Sequence, residues 1–170
     1  YENAPYDKKL LHEAADRYFL IRQENGARVL PLVMELKDAL KKIPDAAGVW
    51  YFLGDLYERS DIKEGAAEEC YIKAIEADPY HLNSLLSLLE LYLTTDKNVK
   101  ARELVDRIIV YTDDVDMYVA SAHLALEMGE LDRCISDIKE YERRCGINDE
   151  VSELKAQVLL KQGEYEAALE

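Results

Sequence analysis

The sequence predicts an all-α solenoid of antiparallel helix hairpins, and three observations point there. Only 7 Gly and 4 Pro interrupt 170 residues rich in Ala, Leu, Glu, Lys and Tyr, a composition that suits long helices joined by short turns. Small residues recur at Ala67, Ala101, Cys134 and Ala168, spaced 34, 33 and 34 apart. A second series, Gly54, Leu89, Ala122 and Ala156, runs 12 to 13 residues ahead of it at spacings of 35, 33 and 34. A period in the thirties marks a helix-turn-helix unit that cannot bury its apolar face alone and must stack on copies of itself.

The elements follow from that period. Residues 1–44 are expected to form an N-terminal hairpin, with helices over 7–24 and 28–42 and Asn25-Gly26 as the turn. Pro31 then falls in the first turn of the second helix, where a missing N–H costs little. Pro44 lies six residues before Trp50, as Pro79 lies six before Leu85, so this hairpin reads either as a degenerate repeat or as a non-repeat cap. Full units are expected at 45–79, 80–113 and 114–147, and an incomplete one at 148–170. The last unit stops part-way into its second helix, leaving Leu154, Val158 and Leu159 partly bare. The natural array is therefore expected to continue past Glu170.

Residues 45–79 are the best formed unit. On the first helix, Trp50, Leu53, Gly54 and Tyr57 stand at i, i+3, i+4 and i+7, one face of a 3.6-residue helix. Ala67, Tyr71, Ala74 and Pro79 complete the second helix and its stop. Gly54 and Ala67 lack bulk and let the helices approach closely, so Gly54→Leu should be among the worst substitutions. Trp50 and Tyr57 fill the remaining space as core residues. The following units keep Leu85, Leu88, Leu89, Tyr92, Ala101 and Val105 in phase, then Tyr118, Ala122, Ala125, Gly129, Cys134 and Ile138, then Ala156, Gly163, Tyr165 and Ala168. In this order the residues resemble the tetratricopeptide repeat, with its W-x2-L-G-x2-Y first helix and closing Pro. The resemblance covers about 125 residues and implies a right-handed α-solenoid that binds proteins and not an enzyme.

Charge narrows the partners. The chain carries 21 basic and 35 acidic residues, a net charge of −14. Residues 1–44 hold 8 basic and 7 acidic groups, while 45–170 hold 13 and 28. So acidic an array repels polyphosphate, which excludes nucleic acid and argues against the RNA-reading pentatricopeptide variant of this hairpin. The longest apolar stretches, 29–34 and 85–93, are too short or too broken for membrane insertion. Cys70, Cys134 and Cys145 show no CxxC spacing, and His12, His81 and His123 share no ligand spacing, so no metal or other cofactor and no catalytic residue is expected. Cys134 occupies the slot of Ala67 and Ala101 and reads as a small core residue. The odd thiol set fits a reducing, cytoplasmic location.

The resemblance further implies a concave groove lined by the first helices, and its positions carry over repeat by repeat. One row is Tyr51, Leu86 and Val119; the next Asp55, Glu90 and His123; the third Glu58, Leu93 and Leu126; Asn83 and Asp116 stand at one rim. Family members that clamp a terminal carboxylate use Lys, Arg and Asn here, and this chain offers only Asn83 of that set. The expected occupant is a protein or peptide segment with apolar and basic residues. Two other readings stand beside it: end-to-end self-association through an exposed apolar edge, or a regulatory arm of a larger enzyme.

Overall fold

The computed structural model describes residues 13, 29–60 and 65–163; among them are eight helices and no strand. The chain divides into two compact units, Tyr1–Leu91 and Tyr92–Glu170. The first helix of the N-terminal hairpin, expected over 7–24, and the end of the last repeat, with Tyr165 and Ala168, lie outside the described residues.

The first unit holds α1 (Val29–Lys42), α2 (Ala47–Ser60), α3 (Ala66–Ala77) and most of α4 (Leu82–Thr94). In α1 the buried residues Leu32, Val33, Leu36, Ala39 and Leu40 form one stripe at helical spacing, as 28–42 was expected to do. Pro44 stops this helix, and its carbonyl accepts the Trp50 indole N–H at 2.7 Å, a physical reason for the six-residue Pro–Trp spacing. Trp50 is thus half-buried at the helix start, with the Lys73 ammonium 4.6 Å from its ring centre, and is not the deep core residue expected. The core belongs instead to Leu32, Leu36, Val49, Leu53, Tyr71 and Leu85.

Tyr71 decides how closely α2 and α3 approach. Its side chain is fully buried against Gly54, and a Cβ placed on that glycine would sit 2.6 Å from Tyr71 Cε1 and 2.7 Å from Cδ1. Burial on all sides leaves the ring little room to shift, and its hydroxyl donates to Glu58 Oε2 at 2.6 Å. Asp78 closes α3 in extended geometry, its N–H still bonded to the Ala74 carbonyl, ahead of Pro79.

The second unit holds the end of α4 with α5 (Asn98–Thr112), α6 (Asp116–Glu127), α7 (Leu131–Cys145) and α8 (Asp149–Gln162). One core cluster unites Val119, Ala122, Ala125 and Leu126 of α6 with Cys134, Ile138 and Tyr141 of α7 and Val151, Leu154 and Val158 of α8. Cys134 is fully buried there, as its small-residue slot implies. Positive φ occurs at Asp96 and Gly129, in the turns before α5 and α7, and at Gly163, which caps the end of α8; glycine takes this conformation freely, and the repeat period places Asp96 in the same role.

A polar network that the sequence pattern does not announce crosses this unit. The Ser121 hydroxyl donates to Asp137 Oδ2 at 2.6 Å, and both residues are buried. Arg133 binds Asp106 and lies 3.6 Å from Asp137, while Arg102 donates to Glu130 at 2.6 Å. Burial pushes the Asp137 carboxyl above its ordinary range, against the pull of Ser121, Arg133 and Arg102.

The Gly54–Tyr71 contact yields a matched pair of mutants. Gly54→Ala is expected to destabilise by about 1–3 kcal/mol through overpacking, although Ala is the better helix former. Gly48→Ala, on the same helix with nothing within 4 Å of the new Cβ, is expected to be neutral or to stabilise by up to about 1 kcal/mol. Urea midpoints measure both, and equal midpoints would contradict the close approach.

Candidate functional site

The groove positions fall into two groups, one on each unit. On the first unit, Tyr51 is half-buried in an aromatic shelf, its ring centre 5.7 Å from Phe52, 6.0 Å from Tyr71 and 5.6 Å from His81. Asn83, Leu86 and Glu90 are exposed along α4 at i, i+3 and i+7, one face of the helix. The acids of α2 are engaged within the chain. Asp55 is only 8% exposed and accepts Arg59 Nε at 2.7 Å, one turn further on, while Glu58 accepts the Tyr71 hydroxyl. Asp55 is therefore not the open carboxylate the sequence pattern suggests, whereas Glu58 stays exposed while it accepts the Tyr71 hydroxyl.

His81 sets the start of α4. Its carbonyl accepts the Ser84 and Leu85 N–H groups, its ring Nδ1 lies 2.9 Å from Ser84 Oγ, and the Ser84 N–H also points to Nδ1 at 3.4 Å. Burial holds the ring's pKa below the ordinary histidine value of 6.5, opposed by the Asp78 charge. A protonated Nδ1 could no longer accept from the Ser84 backbone, so the neutral ring belongs to the folded shelf.

On the second unit the positions converge. Leu93, Asp116, Val119 and His123 line a cavity of about 500 Å³ together with Ala120, Leu124, Glu127, Tyr141, Asn148 and Glu150. Val119, Leu124 and Tyr141 are buried and give the floor; Leu93 is 41% exposed at its edge. Asp116, His123, Glu127 and Glu150 are exposed around it, and no Lys or Arg is among its lining residues. Burial first, then the neighbouring Cys145, Asp116 and Glu150, push the Tyr141 phenol upward. Leu126 is absent from the cavity. It is 5% exposed in the core cluster, because Val119, Ala122 and Leu126 at i, i+3 and i+7 form the inward stripe of α6.

Asn148 shapes one wall. Its Oδ1 accepts the Val151 N–H at 2.8 Å, capping α8, and its Nδ2 donates to the Tyr141 hydroxyl at 3.1 Å. Next to it, Glu150 Oε1 lies 3.2 Å from His123 Nε2. The groove positions omit Glu127, Tyr141, Asn148 and Glu150, yet a signal for Glu150 was present. The rim series Asn83, Asp116 continued by 34 residues lands on it. Among the described residues no group of His, Cys, Asp and Glu could hold a metal ion, and no helix is long and apolar enough to cross a membrane.

Known proteins match this architecture. A family model described as tetratricopeptide repeat matches residues 47–81, the α2–α3 hairpin. A TPR repeat-containing protein of Methanocaldococcus jannaschii is 42% identical over 60 residues, 31% of this chain and 18% of the relative, so the match spans under a fifth of that protein. The crystal structure of MamA superposes with a TM-score of 0.75 over 95% of this chain and 87% of that one, at 17% identity. YrrB, described as a TPR protein with an unusual peptide-binding site, gives 0.74 over 96% and 87%, at 15% identity. MamA of Desulfovibrio magneticus RS-1 gives 0.69 over 96% and 89%, at 12%. The fold is the all-α solenoid of helical hairpins that the repeat period predicts. The tetratricopeptide-repeat family is thus matched in sequence over the α2–α3 hairpin, and the likeness to solved tetratricopeptide-repeat structures extends that fold over the rest of the chain.

The His81 geometry has a pH signature. Its folded pKa is lowered, so the unfolded chain binds the proton more readily; stability is full above pH 6.5 and is lost as pH falls from there through the folded value. Chemical denaturation from neutral to mildly acidic pH should show this loss in the parent and less of it in His81→Gln. Equal acid sensitivity of the two would exclude the His81 ring as its source.

Proposed function

We propose that this chain is a protein-docking module and that its second unit takes a partner segment combining apolar and basic residues. The observation that carries the reading is the cavity on α6 and α8, with an apolar floor and three carboxylates, Asp116, Glu127 and Glu150, around it. An apolar side chain seated on Leu93, Val119 and Leu124 gains about 25 cal/mol for each square ångström removed from water. A neighbouring Lys or Arg meets the acids, which supply selectivity and faster encounter more than affinity. YrrB, similar in fold, is described as having a peptide-binding site, which supports this class of function. On the first unit the surface offered is Tyr51, Leu86 and Asn83 with the exposed acids Glu58 and Glu90.

The same reading treats 1–44 as an N-terminal hairpin and 45–79, 80–113, 114–147 and 148–170 as successive repeats. The helix bounds of α1 to α8 support that division. The module is read as a scaffold, since the site gathers an apolar floor and solvated carboxylates suited to holding a segment of another protein.

Two variants separate the apolar and ionic contributions, using a short peptide that alternates leucine and arginine as the probe. Leu93→Ala removes exposed apolar surface and should cost roughly 1 kcal/mol of binding at every salt concentration. Glu127→Lys removes an exposed hydrogen bond from Asn98 but places a cation on the last residue of α6, where the helix dipole favours it, so folding should be little disturbed. Its binding defect should be large at low salt and should fade as the Debye length shrinks to about 8 Å at physiological ionic strength. Fluorescence anisotropy reads both effects. Parent-like binding by both variants would place the docking surface elsewhere on the chain.

A further inference from the structure

The cavity contains one group whose chemistry opposes the ligand it is read to take. His123 sits between Asp116 and Glu127 on α6, one turn before Glu127, and its Nε2 reaches across to Glu150 Oε1 on α8 at 3.2 Å. The imidazole and the carboxylate are each about half exposed, 48% and 58%, so the pair stands at the mouth and not in the floor. A protonated imidazole in that position is a tethered cation on the rim, occupying the carboxylate that an incoming Lys or Arg would use.

We propose that His123 is a charge gate on this docking site: with a neutral imidazole the charges of Asp116, Glu127 and Glu150 stand uncompensated by a rim cation, and proton uptake by His123 offsets Glu150 and repels a basic segment. The proposal rests on the docking reading above and adds its regulation. The groups facing His123 are Asp116 and Glu127 from its own helix, Glu150 from α8, the Tyr141 phenol from α7, the Asn148 amide from the α7–α8 connection and apolar Leu93 from the end of α4. Tyr141 and Asn148 are already bonded to each other, and Glu127 accepts the Asn98 amide at 3.2 Å, which leaves Glu150 as the carboxylate His123 engages. Histidine is the side chain whose charge changes within about pH 5 to 8, and Asp and Glu remain charged over most of that range. The rim's charge therefore changes there mainly through this residue.

Two consequences separate a gate from a merely structural contact. Binding of a basic peptide should weaken as pH falls, because one rim acid is lost and one cation gained. By reciprocity, bound peptide should make His123 harder to protonate, since both compete for Glu150. A structural hydrogen bond between α6 and α8 would predict neither.

The test uses the full chain and the leucine–arginine peptide, with dissociation constants measured at about pH 8 and about pH 5.5. The parent is expected to bind roughly two- to fivefold more weakly at the lower pH, the scale of one exposed ion pair. His123→Gln is expected to lose most of that ratio, whatever its absolute affinity. His123→Lys, a permanent cation, is expected to bind weakly at both pH values. A parent ratio near one, or the full ratio surviving in His123→Gln, overturns the gate and leaves the docking reading standing. No binding by the parent at either pH overturns the docking reading and the gate with it.

Discussion

The constraint on which this molecule depends is the close approach of paired helices at positions without side-chain bulk. Each amphipathic helix has one apolar face, and a hairpin alone cannot cover both of its faces. At Gly54 the α2 backbone is bare enough for the Cδ1–Cε1 side of the Tyr71 ring to pack against it, and the ring's hydroxyl is then in reach of Glu58 on the same helix. A methyl group on Gly54 would separate the helices or displace a fully buried ring. In the second unit the same requirement is met by Ala122, Ala125 and Cys134, all fully buried in one cluster. Close spacing at the small residues brings Val151 and Leu154 of α8 into that cluster, which in turn holds the wall of the cavity in place.

Because one face of each first helix is consumed by packing, the residues left over define the available surface. On α6 the inward stripe takes Leu126, and the next positions round the helix, Asp116, Ala120, His123 and Glu127, remain to line the cavity. On α2 the outcome differs: Asp55 and Glu58 are drawn into contacts with Arg59 and Tyr71. Repeats with one backbone plan thus offer different chemistry, an apolar aromatic shelf on the first unit and an acid-rimmed cavity on the second. This difference follows from side-chain partners one helical turn or one helix away, not from the repeat pattern.

That distinction also sorts what the sequence could reveal. The hairpins were legible because their determinants are local and periodic: the small-residue series, the Pro44 and Pro79 stops and the turn glycines all act within a few residues of where they stand. Glu150 was legible too, by continuing the rim series into the fourth unit. Asp55 and Leu126 were misplaced because rotation about a helix axis by one position decides between open and inward faces, and a repeat register drawn from a signature carries that tolerance. The signature position of Trp50 points to the core; the indole N–H, which needs a partner, finds it in the Pro44 carbonyl and leaves the ring half-buried. The Ser121–Asp137–Arg133–Asp106 network was invisible, since charged residues on a second helix look like solvated surface until a neighbouring helix closes over them.

The central functional claim is that the second unit docks apolar and basic segments through the α6–α8 cavity, and residue-resolved mapping tests it most directly. Isotope-labelled protein titrated with the leucine–arginine peptide should show amide and methyl shift changes at Leu93, Val119, Ala120, Leu124 and Glu150. The outward residues Val99 and Val110 of α5, exposed to 65% and 88%, should stay unperturbed. Shift changes centred on Val99 and Val110 with the cavity residues silent would contradict the account.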